Sequence, residues 1–578
     1  MAVCEFVEEL SKLKKSSKDS VDSTNKFDEF KQYMHIPRNI EEDLKEILRH
    51  INGNDSKSLV LLCGSAGDGK SHLLSYLYHN DSERLLDNFT IFNDGTESFA
   101  PNKSAIDTLN ELLNEYSDES LSNNKIPSKS IILAINLGVL NNFIDSEYGE
   151  RYKLLKKYVQ KKGILTSTTN SQIISDNKYF QSLSFSDYQL FMLKNDGIKN
   201  SFVLSLMEKI FGESESNPFN SIYKNCCCKK CVKSTFCSVK HNYEFMKLQS
   251  SQNFVAEMLA ECIIKYKLIL TIRECQDFLY DIIVPKNFDP ILLDSSNRQN
   301  KRITAYLDAM TPSLMFEQKE TSVLLDAMNK LDPVLTRNEK NDMEEVDFYV
   351  TTDIEKDINL KFHNLPYKNF LLEEQLINEL RSAKKYRAHL FSIIKRCDSF
   401  ISEEIVDKNY LDFLKYLYYY NVRDIKKLDD LYEKIEKAVK QWCGTDEDDN
   451  LCIESNELGY KLYEEVKFEV YDDLSQKNNQ ELLYKFSNCI NVSFEAKDEF
   501  EPPISLVIDY NLYDLICKLN NGYVQTYEDC NNHADFLAFI EKIKHIGSAD
   551  RKVIIKGTNG IEVVFQKKKL GFVYKNKG

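Results

Sequence analysis

The chain has 578 residues, 42% of them hydrophobic and 29% charged, enough for roughly three or four domains at ~150 residues each. With only 18 Gly and 11 Pro against 32 Tyr and 33 Phe, collagenous, low-complexity and wholly disordered architectures are excluded. A net charge of -15, from 75 basic and 90 acidic residues, excludes a surface that binds polyanions throughout, so any DNA contact is local or supplied by a partner.

In chain order, MAVCEFVEELSKLKKSSKDS carries acids and lysines through its apolar positions, so no signal peptide is expected and the chain is placed in the cytoplasm. No apolar run approaches the ~20 residues of a membrane span. The stretch FDEFKQYMHIPRNIEEDLKEILRHI reads as two helical pieces broken at Pro37, forming an N-terminal flank over 1–57. SLVLLC, ending at Cys63, is continuously apolar rather than alternating, as in a parallel strand covered on both faces. A helix from Lys70 to Tyr78, a strand over 89–92, a helix from Ala105 to Tyr116 and a strand over 130–135 follow.

This alternation predicts an α/β doubly wound parallel sheet, and with G-x-x-x-x-G-K-S over Gly64–Ser71 between its first strand and helix, a P-loop NTPase domain over 58–290. Within it, a cysteine-rich insertion lies near 225–241, a short strand is expected over 268–272, and a helix over 275–283. Heptad-like apolar spacing predicts a mainly helical domain over 291–486, with Asp446–Asp449 as a solvated loop. A small α+β region over 487–578 carries helices over 511–519 and 533–545 and a hairpin of RKVIIK with IEVVF.

The strongest motif is Gly64-Ser65-Ala66-Gly67-Asp68-Gly69-Lys70-Ser71, which satisfies G-x-x-x-x-G-K-[ST] between a buried-type strand and a helix. Glycines let backbone amides curl around phosphate oxygens, and the helix N-terminus adds its positive end. Lys70 is suited to neutralise β/γ charge, Ser71 to hold Mg²⁺, and His72 to touch an α-phosphate, which makes ATP and Mg²⁺ the expected ligands.

Hydrolysis also needs a carboxylate for the metal and a group that orients water. The strand IILAIN ends in Asn136 where many such proteins carry an Asp-Glu pair, so Asn136 is read as a γ-phosphate sensor. Asp94 and Glu97, in IFNDGTES, are the acidic candidates, with an ordinary Asp94-Gly95 turn as the competing reading. Arg273, in LTIRECQDF, is a candidate phosphate sensor, with a helix-cap or surface ion pair as the competing reading.

NCCCKKCVKSTFCSVKH gathers Cys226, Cys227, Cys228, Cys231, Cys237 and His241. Cys228-x2-Cys231-x5-Cys237-x3-His241 offers four ligands to a structural Zn²⁺, with Cys226 as an alternate. Exposed reduced thiols are the plainer reading. Glu465-Val466-Lys467 and Glu495-Ala496-Lys497 are E-x-K strings of nuclease type, expected by accident in so Glu- and Lys-rich a chain.

YMHIPRNIEEDLKEIL, LVLLCGSAGDGKSHLLSYL and IFNDGTESF, with IILAINLGVLNNF, LTIRECQDFLYDII and VIDYNLYDLICKLNNGY, resemble the DptF family of DNA phosphorothioation-dependent restriction proteins. The resemblance implies an ATP-binding subunit of an anti-phage restriction system. Such a subunit acts with DptG-like and DptH-like partners against DNA that lacks the sulfur-modified backbone. Gly64 to Ser71 carry over as its nucleotide site, and Asp94 with Glu97 as its acidic motif. DNA contact is expected through the complex, and homo-oligomerisation stays open. The alternatives are a nucleotide-gated scaffold with little turnover and an autonomous ATP-dependent nuclease.

Overall fold

A computed structural model describes residues 4–14, 29–54, 56–93, 95, 104–122, 127–165, 173–225, 228, 231, 234–286, 288, 299–337, 339–402, 407–455, 459–472, 481–496, 501–546, 552–557, 561–568 and 571–576. The chain falls into two compact units. One comprises Met1–Met192 and Asn200–Glu404, the other Leu193–Lys199 and Ile405–Gly578.

The first unit is built on a four-stranded, all-parallel sheet. Its strands are β1 (Leu59–Cys63), β2 (Phe89–Phe92), β3 (Ser130–Ile135) and β4 (Phe180–Ser184), in the order β2-β3-β1-β4. Every residue of β1 and β3 is buried, which is why both read as unbroken apolar runs: each has strand neighbours at both edges and packing on both faces. In register, Leu59 pairs with Ile131 and Phe180, and Cys63 with Ile135 and Ser184. One face packs on Tyr116, Phe143, Tyr152 and Leu155, from the segments that follow β2 and β3. Pro37 separates the helices Glu29–Met34 and Asn39–Gly53, as its missing N–H requires.

One apolar core runs across the expected 290–291 boundary. The helix Gln249–Tyr266 meets Lys384–Ser402 through Phe254 and Phe400, whose ring centroids lie 4.5 Å apart. Asn242, fully buried, donates to Ile283 O at 2.9 Å and Ala309 O at 2.7 Å and accepts from Thr311 N and Tyr367 Oη. That side chain ties together backbone from before and after position 290, so the helical body up to Glu404 and the sheet share one unit.

Residues 268–271 are not a strand. Thr271 caps the helix Ile272–Asp281 in a capping box with Glu274, and satisfying two helix-end donors outweighs the β character of Leu268-Ile269-Leu270. In the second unit the expected helical stretch ends at Cys443, and Leu451–Ser455 and Lys461–Glu464 form strands of an antiparallel five-stranded sheet. The hairpin of Lys552–Lys556 with Glu562–Lys568 lies in the same sheet, with Gly571–Asn576 at its edge. Helices Tyr510–Asn520 and Ala534–Ile546 are present as the periodicity indicated.

Candidate functional site

Gly64 to Gly69 leave β1 and feed the helix Lys70–Asn80. The turn needs left-handed backbone twice: Gly67 has φ +91° and Gly69 φ +95°, conformations that cost an L side chain about 1–2 kcal/mol. At Gly67 space is short as well, since a Cβ there would lie 3.1 Å from Arg273 Cβ and 3.3 Å from Thr271 Oγ1. A bare backbone is therefore required on two grounds.

Lys70 folds its side chain back into this turn. Its Nζ donates to Gly64 O at 3.0 Å, Ser65 O at 2.7 Å and Asn136 Oδ1 at 3.1 Å. β3 pairs directly with β1, so the residue that follows β3 arrives beside the loop that follows β1. Asn136 also begins the helix Leu137–Asp145, its carbonyl accepting from Leu140 N at 2.9 Å. Lys70 is 9% exposed, so the amide oxygen and two carbonyls replace most of the water its ammonium would otherwise hold.

Arg273 lies at the loop as well, its amide donating to Gly67 O at 3.4 Å. The N-terminal turn of its helix is thereby seated against the glycine turn. Asp68 braces the loop from within, with Oδ2 accepting from Ser65 N at 2.5 Å; burial pushes its carboxyl above the ordinary range, against the opposing pull of that bond, Lys70 and Arg38. Cys63, at the end of β1, is an inert thiol pushed by burial up to about 12.

Sequence reasoning missed Arg38. Its guanidinium lies over Phe185 at 5.1 Å and Phe202 at 5.4 Å, and NH1 donates to Asp68 O at 3.2 Å. Burial lowers it to about 10. The segment before β1 is thus tied to the loop after it, and no local pattern announces that, because both aromatic rings come from beyond β4.

His72 turns toward that same segment. His72 Nε2 and His35 Nδ1 are 3.1 Å apart, His35 stacks on Tyr76 with centroids at 3.4 Å, and His35 Nε2 lies 3.2 Å from Glu41 Oε2. Burial, with His35 adjacent, lowers His72 to about 4. Its imidazole is therefore neutral at pH 7 and is engaged by His35. Ser65 and Ala66 are exposed and Ser71 half-buried.

Asp94 and Glu97 lie outside the described residues. Gly95 is described: its amide donates to Ala134 O at 2.8 Å, near the end of β3.

The cysteine set is not brought together. Cys226 lies outside the described residues. Cys228 is buried in the apolar core, where a thiol packs as a small hydrophobe, while Cys231 is exposed. His241 Nδ1 is 2.6 Å from Tyr306 Oη in an aromatic surround, and burial lowers it to about 3. Among the described residues, Cys228, Cys231, Cys237 and His241 do not bring three ligand atoms within 4.8 Å of one another. The helix that follows Cys4 packs on Pro218–Asn225 through Phe6 and Tyr223, and burial pushes the Cys237 thiol up to about 11. Among the described residues, only Asp308, Glu317 and His389 bring three potential ligand atoms within 4.8 Å of one another, and Glu317 there is already ion-paired with the buried Arg396.

Of the E-x-K strings, Glu465 follows the strand Lys461–Glu464 and Glu495 the strand Ile490–Phe494, so neither acid is on a strand; Lys497 is outside the described residues. Among the described residues, no helix is long and apolar enough to cross a membrane. In comparisons with known proteins, no family model and no curated protein matches the chain.

Proposed function

We propose that the chain is the ATP-binding subunit, and the ATPase, of a phosphorothioation-dependent DNA restriction system, and that its parallel sheet is that of a P-loop NTPase. The observation that supports the nucleotide reading best is the convergence on Lys70. A nearly buried ammonium is held by two loop carbonyls and the Asn136 amide, beneath a glycine turn that excludes side chains. Backbone N–H groups at the start of the Lys70–Asn80 helix carry positive partial charge for an anion. In this reading Lys70 exchanges its carbonyl partners for phosphate oxygens, and Ser71 holds Mg²⁺. Asn136 and the Arg273 side chain bear on the terminal phosphate, with Asp94 or Glu97 as the acid that handles metal or water. ATP supplies a phosphoanhydride whose cleavage drives the partner complex.

The restriction role rests on the motif resemblance, with DptG-like and DptH-like subunits as partners. The acidic balance of -15 suits a subunit that leaves most DNA contact to them. The test is steady-state ATP hydrolysis by wild type and Lys70→Ala, alone and with partner subunits and unmodified or phosphorothioated DNA. Lys70-dependent turnover that responds to partners or DNA is expected; turnover unchanged in Lys70→Ala would overturn the assignment. A nucleotide-gated scaffold is the second reading, favoured by one observation: an amide and not a carboxylate ends the strand beside Lys70. Tight ATP binding without turnover would select it.

A further inference from the structure

A guanidinium carries five N–H donors and is at its strongest when a carboxylate or phosphate takes them in pairs. Among the described residues, that of Arg38 has one hydrogen-bond acceptor, the Asp68 carbonyl at 3.2 Å from NH1, and no ion-pair partner. Phe185 and Phe202 lie against it where water would otherwise be. Desolvation is accordingly what lowers Arg38 to about 10, against the pull of Asp68 and Tyr188. The Asp68 carboxylate cannot serve as a full counter-ion, since its Oδ2 is engaged by Ser65 N at 2.5 Å. The remaining Arg38 nitrogens are not among the sealed polar atoms that lack partners, so they stay open to an incoming group.

The mount of this cation is fixed in advance. Pro37 precedes it, and the Arg38 carbonyl accepts from Glu41 N at 2.9 Å to begin the helix Asn39–Gly53. Just upstream, His35 is held by His72 and Tyr76 of the helix that the loop feeds. Strand order then says which end of a ligand Arg38 meets. β1 lies between β3 and β4, so the loop after β1 has Asn136, which follows β3, on one side and Phe185, which follows β4, on the other. Lys70 and Asn136 meet on the β3 side, whereas Arg38 enters over Phe185 from the β4 side. With the terminal phosphate assigned to Lys70 and Asn136, the phosphates nearer the nucleoside fall to Arg38.

We propose that Arg38 is a nucleotide-binding residue: its guanidinium pairs with a phosphate common to ATP and ADP, and that anion is the counter-ion the ligand-free protein does not give it. The proposal rests on the nucleotide reading of the Gly64–Ser71 loop and adds to it a binding group from the segment before β1. An uncompensated, desolvated charge lowers the stability of the ligand-free fold, so a residue of this kind is a cost until an anion arrives. A purely structural arginine, present only to brace Asp68 O, would behave in the opposite way.

The experiment titrates the full chain, as wild type, Arg38→Met, Arg38→Gln, Arg38→Lys and Lys70→Ala, with fluorescent analogues of ATP and ADP, and unfolds each ligand-free protein in urea. Arg38→Met keeps an apolar stem beside the two rings and removes the charge. It should weaken ATP and ADP by the same factor, at least tenfold, while the ligand-free protein is as stable as wild type or more so. Arg38→Gln keeps a donor for Asp68 O without the charge and should bind as weakly as Arg38→Met; Arg38→Lys, which keeps the charge, should bind at least threefold more tightly than either. A less stable Arg38→Met with unchanged affinities would make Arg38 a brace of the loop and overturn the proposal, as would wild-type affinity in Arg38→Gln. Weakening of ATP alone would place Arg38 at the terminal phosphate and overturn it too. Binding that Lys70→Ala removes and Arg38→Met leaves intact would overturn this proposal alone, whereas a wild type that binds neither nucleotide would overturn the nucleotide reading and this proposal with it.

Discussion

Replacing Asn136 by Asp tests the central arrangement with a change of one atom type. The amide oxygen that faces Lys70 Nζ at 3.1 Å becomes a carboxylate at the same distance. At that separation and an effective dielectric of ~20, the new attraction is about 5 kcal/mol gross. The existing amide-to-ammonium hydrogen bond, worth roughly 1.5–3 kcal/mol, is already present in the wild type and must be subtracted. Desolvating the carboxylate takes back a further part, which leaves roughly 2 kcal/mol net, and the 9% exposure of Lys70 means that solvent screens little of it. A phosphate must compete with that carboxylate for the ammonium. Asn136→Asp is therefore expected to raise the unfolding free energy of the ligand-free protein and to weaken ATP binding ~30-fold, the conversion of 2 kcal/mol. Titration with a fluorescent ATP analogue and urea denaturation of the same preparations measure both. Asn136→Ala is the comparison: it adds no charge to compete with phosphate and loses only the amide's own contact with the terminal phosphate, so affinity should fall by about tenfold, less than in Asn136→Asp, and stability should not rise. Equal ATP affinity in wild type and Asn136→Asp, with stability unchanged, would show that Lys70 either does not meet phosphate or is not held at this strand end.

Gly67→Ala should cost about 2 kcal/mol of stability, because φ +91° penalises a Cβ and the Arg273 Cβ at 3.1 Å blocks it; urea denaturation measures that, and ATP titration should show at least tenfold weaker binding. Acid should destabilise the first unit before its carboxylates titrate. Burial holds His72 at about 4 and His241 at about 3, both below the ordinary 6.5, so the unfolded chain takes up protons that the folded chain refuses. Stability is then complete above pH ~6.5 and falls as pH drops toward ~4, by about 1.4 kcal/mol per pH unit for each histidine. Urea denaturation at several pH values reads the slope, and His241→Phe should remove its own share while leaving the metal content of the purified protein unchanged.

How much of this was legible depends on the range of the interaction behind each feature. Strands β1 and β3 were readable because burial on both faces writes an apolar run into contiguous residues, and the glycine loop because phosphate-type turns constrain neighbours within six positions. Asn136 was readable as the residue at a strand end; that it would touch Lys70 needed the strand order. Arg38 was not legible, since its partners Phe185 and Phe202 are distant in sequence. The apolar 268–272 misled through composition, although Thr271-x-x-Glu274 is itself a capping-box signature and outranks it. Cysteine spacing orders thiols along the chain but does not give their burial: Cys228 is drawn into the core as a small apolar residue while Cys231 is exposed.

The order β2-β3-β1-β4 also divides labour between the sequence candidates. β3 stands between β1 and β2, so Asn136 meets the ammonium directly, whereas β2 itself lies one strand spacing, ~4.8 Å, farther from β1 than β3 does. The proposed division gives Asn136 to the ammonium and leaves the metal or the water to an acid of the sequence IFNDGTES. Asp94→Asn, in that stretch, is accordingly expected to lower ATP turnover at least a hundredfold while ATP affinity stays within about threefold of wild type, which assigns it to chemistry and not to binding. Single-turnover hydrolysis and equilibrium titration on one preparation separate the two quantities. Should Asp94→Asn weaken ATP binding as severely as Lys70→Ala, the acid would belong to the phosphate cradle itself, and the division inferred from strand order would be wrong.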